Sequence, residues 1–162
     1  MILDFPPILA TRRNHALEHA TLHVLEGMYP DRHLAGHSNP TGFFIFANVP
    51  TVELTSAISQ ALTRLRSGER NLAIHAGCGT NLATSLIVAG SMAFLPLRGR
   101  KSTLWRFLLL PVAVAFGIAG YALSQPLGPW LQAWVTTEAE MGDLRLMNVI
   151  PVRQGVHRIV TQ

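Results

Sequence analysis

Two apolar runs dominate the pattern of this chain. Residues 71–97 contain no Asp, Glu, Lys or Arg, and their apolar part, 81–97, would span roughly 25 Å as a helix against a hydrocarbon core of about 30 Å. The second run, Thr103–Ser124, has a single charge, Arg106, near its start. There it can snorkel beside Trp105, while Tyr121 suits the opposite interface. Pro111 predicts a kink in the first turns. Small residues, Ala89, Gly90, Ser91 and Ala93 in the first run and Gly117 and Gly120 in the second, suit close helix packing. The pair predicts a two-helix transmembrane hairpin, with helices at about 81–97 and 103–124. Two buried helices of a water-soluble protein are the competing reading, disfavoured by the basic loop between the runs.

The flanking segments carry amphipathic periodicities. Thr11 is a cap candidate for a helix to about Leu25, stopped by Gly27. With His15 set at 0°, Leu17, Ala20, Val24 and Met28 fall at about 140–220°, while His15, His19, His23 and Glu26 occupy a polar stripe at about 0–80°. His33–Gly36, the turn Ser38–Gly42 and Phe43–Val49 read as a β-hairpin. Leu54, Ile58, Ala61, Leu62 and Leu65 form the apolar face of a second helix, Val52–Arg66, with Thr51 as its cap candidate and Gly68 as its end. Asn71–His75 reads as a short third strand. After an interfacial segment with Trp130 and Trp134, Leu144–Val152 and Val156–Val160 read as two strands whose place is beside the N-terminal sheet. The expected fold is an α+β membrane protein with three parts: a small α/β domain at 1–80, a transmembrane hairpin at 81–124, and an interfacial segment and β tail at 125–162.

Composition supports the membrane class. Charged residues make up 14% of the 162 positions and apolar residues 49%, whereas soluble domains average about 25% charged. The net charge of +4 resides in Arg98, Arg100, Lys101 and Arg106, since the segments on either side each balance. A basic block between two apolar runs is a topology signal, and nucleic acid is not an expected partner. It places loop 98–102 on the cytoplasmic side of a bacterial cytoplasmic membrane, although a domain as long as residues 1–80 obeys that rule poorly. No apolar segment follows Met1–Pro7, so the internal helices are expected to drive insertion. The bilayer is the expected partner, together with a membrane protein or a second copy of the chain. No histidine or acid lies within either run, which argues against a transmembrane haem or proton relay.

His15-Ala16-Leu17-Glu18-His19 is the candidate for chemistry. Residues i and i+4 of a helix can grip one metal ion, and Glu18, beside the second ligand, can deprotonate a metal-bound water. Glu18 is therefore the candidate catalytic base and His15 and His19 are candidate zinc ligands. Glu53, His37, His75 and Cys78 are candidates for the third ligand, the last two as a His-x-x-Cys pair. The simpler alternative for the stripe is a polar face turned to water or lipid headgroups. For His75 and Cys78 it is a strand-end histidine and a small buried cysteine.

The run Arg13–Thr21, the segments 35–43 and 48–51, and His75-Ala76-Gly77-Cys78-Gly79-Thr80-Asn81 together resemble a family of small bacterial membrane proteins defined only as a domain of unknown function. That resemblance implies a soluble part followed by apolar helices, and no chemistry. Residues 15–19 alone resemble inverted zinc metallopeptidases, which take a downstream glutamate as third ligand. The sequence thus points to a membrane-anchored metal-dependent hydrolase of zinc-peptidase type, with a non-catalytic accessory or structural subunit of a membrane complex as the alternative.

Overall fold

A computed structural model describes residues 2–162 and divides into two compact units. The first comprises residues up to Gly77 together with Gln132–Gln162, and the second Cys78–Leu131.

The first unit is an α+β fold in which the two ends of the chain share one sheet. Helix α1 (Pro6–Met28) and helix α2 (Thr51–Arg66) flank a hairpin of β1 (Ala35–Asn39) and β2 (Gly42–Phe46). Strands β3 (Leu146–Arg153) and β4 (Val156–Thr161) complete an antiparallel sheet of order β1-β2-β4-β3. The tail strands therefore join the N-terminal hairpin, as their pattern predicts. Phe43 pairs with Ile159 and Ile45 with His157, so β4 continues the inward face of β2. Phe43, Ile45 and Ile159 are fully buried with Leu17, Leu25, Leu54 and Ile58 of the helices. Gly42, at φ +135°, takes the tight corner after Pro40-Thr41, and a Cβ there would strike the Ile159 carbonyl. On the outer face the Arg158 guanidinium lies 4.9 Å from the Phe44 ring centroid.

Three local expectations are corrected. Helix α1 begins at Pro6, not Thr11. Prolines at its first positions have no N–H to satisfy there, and Thr11 instead bonds back to the Pro7 carbonyl at 2.8 Å. Thr51 does not cap α2. Pro50 holds that position, and the Thr51 hydroxyl meets His157 Nε2 at 3.1 Å. Asn71–His75 is not a strand. Arg70–Ala73 forms a 3-10 turn, with Ile74 extended after it, and the third and fourth strands of the sheet both come from the tail.

The second unit is helical: α3 (Gly79–Phe94), α4 (Thr103–Leu108), α5 (Leu110–Ser124) and α6 (Leu127–Leu131). One stretch, Gly79–Leu97, is long and apolar enough to cross a membrane, and only 6% of it is buried. The second expected span is not one helix. It breaks at Leu109, just before Pro111, which cannot donate to the carbonyl four residues back. Helices α3 and α5 meet through small residues. A Cβ on Gly120 would come within 2.9 Å of Ala89 Cα, one on Gly117 within 3.3 Å of Ala93 Cβ, and Ser124 bonds Ser85 at 2.9 Å. The large side chains turn outward: Leu82, Leu86, Ile87, Phe107, Ile118 and Leu123 are all more than half exposed.

Candidate metal centre

Helix α1 buries its middle on all sides. One side, with Leu17, Ala20 and Leu25, enters the core, and the opposite side, with the histidine stripe, is covered as well. The cover consists of two remote segments: the chain from the 3-10 turn to His75, and a π-helical turn at Gln132–Thr136. The stripe is graded: His15 and His23 are half-buried and Glu26 is exposed. His19 is 1% exposed.

Both covers are tied to the helix by the histidines. His15 Nδ1 lies 2.9 Å from the Thr136 carbonyl oxygen, and His19 Nδ1 lies 2.7 Å from that of Ala73. A carbonyl only accepts, so each Nδ1 carries the proton and each Nε2 the lone pair. This is the tautomer of a metal-ligating histidine whose other nitrogen is held by the protein. The two rings stand 4.3 Å apart between centroids.

Arg12 and Gln132, unremarked in the sequence, hold the covers in place. Arg12 donates to the Val135 and Thr137 carbonyls at 2.8 and 2.9 Å and pairs with Glu138 at 3.4 Å. Gln132 Oε1 accepts the His75 backbone N–H at 2.8 Å. Asn14 bridges the sheet: its amide donates to the Asn39 carbonyl at 2.9 Å and accepts from Thr161 at 2.7 Å. An arginine buried on a mid-helix position needs many acceptors, but their location hundreds of atoms away in sequence leaves no local signal.

Glu18 is 4% exposed and turns toward β1. Ser38 donates to its carboxylate at 2.5 Å, and a Cβ at Gly36 would collide with it. Burial pushes the Glu18 carboxyl above its ordinary value of 4.5, against the opposing pull of the Ser38 hydrogen bond and of the nearby His15 and His37. An elevated carboxyl beside a histidine pair is the state expected of a general base or acid.

The third-ligand candidates separate. His75 reaches the stripe, its ring 5.7 Å from His19 and 4.9 Å from His23. His37 is exposed on β1, opposite Phe44, and Glu53 stands half-exposed in the first turn of α2. Among the described residues, neither joins a convergent group of ligand atoms. Cys78 belongs to the second unit, where it caps α3 and its sulfur accepts the Thr80 N–H at 3.4 Å. His23, a further third-ligand option on the same helix but two turns from His15, instead converges with Glu26 and His75.

The arrangement defines a class: an α+β unit with a histidine-lined buried helix, in one chain with an apolar helical unit. Residues 10–149 match the family model described as Domain of unknown function (DUF6391), and the chain belongs to that family. An uncharacterized protein of Picosynechococcus sp. is similar, 37% identical over 153 residues covering 83% of this chain and 71% of the relative. No solved structure matches the chain.

Proposed function

We propose that the protein is a membrane-anchored metal-dependent hydrolase, a zinc peptidase in its narrower form. His15 and His19 hold the cation through Nε2, and Glu18 accepts a proton from the attacking water. The observation that carries this reading is the pair of Nδ1–H groups fixed on the carbonyls of Thr136 and Ala73, which presets both histidines as ligands. The raised carboxyl of Glu18 supports it. The third ligand comes from His75, Cys78, Glu53 or His37. Gly79–Leu97 supplies the anchor, the α4–α5 segment crosses beside it, and Arg98, Arg100 and Lys101 mark the cytoplasmic surface of the bacterial membrane.

Metal analysis of the purified full chain tests the reading. Wild type is expected to hold zinc, His15→Ala and His19→Ala to lose one equivalent, and Glu18→Gln to keep it while losing any hydrolysis. The third ligand is the candidate whose single substitution also lowers that stoichiometry. Wild-type zinc content in both histidine variants overturns the reading.

A second reading, a non-catalytic subunit of a membrane complex, draws on the Ser38–Glu18 hydrogen bond and the packing of Glu18 against Gly36. There Glu18 simply fastens α1 to β1. In that case zinc is absent and Glu18→Gln leaves every function intact.

A further inference from the structure

The H-x-x-E spacing of His15 and Glu18 recurs at His23 and Glu26, eight residues further on, which is about two helical turns and so the same stripe. We propose that His23, Glu26 and His75 form a second divalent-cation site, distinct from the His15–His19 pair; this assigns His75 here and leaves the third ligand of that pair to Cys78, Glu53 or His37.

Three observations carry this. One ligand atom from each of the three residues lies within 4.8 Å of the others. His23 Nε2 lies 2.8 Å from the Ile74 carbonyl oxygen, so Nε2 holds the proton and the lone pair sits on Nδ1, 3.7 Å from Glu26 Oε2. The Gly77 N–H donates to His75 Nδ1 at 3.2 Å, which directs His75 Nε2 to Glu26 Oε1 at 2.8 Å. The backbone thus turns one nitrogen of each ring toward a single carboxylate. A Cβ on Gly77 would press on the His75 ring at 3.1 Å, so this close backbone approach needs glycine.

Two imidazoles and one carboxylate suit a borderline cation such as Zn²⁺ and leave coordination positions open. For His75 Nε2 to hold the ion, its proton is exchanged through solvent to Nδ1 and the Gly77 N–H contact is given up, so the ring stays neutral and Glu26 stays a carboxylate. Access is graded: the His75 side chain is 10% exposed, His23 32% and Glu26 46%. The site therefore opens to solvent on one side and is seated on the buried cover of α1 on the other.

The full chain in detergent micelles, titrated with ZnCl₂ and separately with CoCl₂, tests the proposal. Wild type is expected to bind a zinc that Glu26→Gln and His23→Ala bind at least tenfold more weakly, with a matching loss of cobalt d–d absorption. His15→Ala is expected to retain it. Loss of zinc only in Glu26→Gln and His23→Ala supports this site and defeats the hydrolase reading. Unchanged zinc and cobalt binding in Glu26→Gln overturns the proposal, as does loss of all zinc in His15→Ala. Should His23→Ala unfold, Glu26→Gln decides, because its isosteric side chain replaces a half-exposed one.

Discussion

The two units reverse each other's use of polarity. In the first, charged and polar side chains go inside: Arg12, Asn14, Glu18, His19, His75 and Gln132 are all buried. Arg12, Asn14, His19 and Gln132 bond backbone groups of distant segments, Glu18 the Ser38 hydroxyl, and His75 the Glu26 carboxylate. In the second, large apolar side chains go outside and glycine, alanine and serine go between the helices. Water punishes the second arrangement and a bilayer rewards it. The first arrangement is expensive in either solvent unless every buried group is matched. The first unit matches its buried groups one by one, whereas the helical unit packs by shape.

The largest expected effect comes from removing the clamp of the polar interior. Arg12→Met abolishes three hydrogen bonds from a charged donor, to the Trp134, Val135 and Thr137 carbonyls, the better ones worth about 1.5–3 kcal/mol each, and should destabilise the first unit by about 3 kcal/mol or more in denaturant titration. It should also loosen the 132–138 cover, seen as faster amide exchange there. Nearly as large is the effect of Ile87→Arg, at the middle of Gly79–Leu97. In lipid the insertion penalty is about 2.5–3.5 kcal/mol, and glycosylation-mapped insertion should fall several-fold. Unchanged insertion would remove the bilayer from the comparison. Gly120→Leu forces a side chain onto the Ala89 backbone and should cost about 1–3 kcal/mol, measured as loss of the α3–α5 association in detergent.

The smallest effects depend on pH, and they run in opposite directions. Burial raises the Glu18 carboxyl, so the native state binds its proton more readily than the unfolded chain. Its contribution is present below the ordinary value of 4.5 and is lost as pH rises through the elevated one. Glu18→Gln should therefore melt higher than wild type at neutral pH and lose that advantage in acid. His157 is depressed by burial below its ordinary 6.5. Its contribution is present above 6.5 and is lost as pH falls through the lowered value. The difference in melting temperature between wild type and His157→Gln should shrink as the pH drops below that range. Parallel curves for either pair would show that these buried groups are not the ones titrating.

Local pattern made much of this fold legible. Leu54, Ile58, Ala61 and Leu65 announce α2, Phe43 and Ile45 announce the buried strand, and Val156–Val160 announces a tail strand, because each periodicity reflects one face meeting the core. Gly117 and Gly120 announce the helix contact for the same reason. What the pattern misses is cover. Nothing near His15 or His19 reveals that carbonyls 121 and 54 residues away come to rest on them. The stripe looks identical whether water or backbone faces it. The extended reading of Asn71–His75 fails because its carbonyls serve histidine rings and not a neighbouring strand. Pro6 and Pro7 open α1, five residues before the start expected at Thr11.

Strand β4 pairs with β2 on one side and β3 on the other, yet more than a hundred residues of chain intervene between the hairpin and this central strand. The order of synthesis therefore dictates the order of assembly. The ribosome delivers Gly79–Leu97 before the sheet can close, so any engagement of that helix with an insertion apparatus precedes maturation of the histidine-bearing unit. Until β4 emerges, Phe43 and Ile45 lack their partner, and a nascent chain arrested short of residue 156 should present them to chaperones.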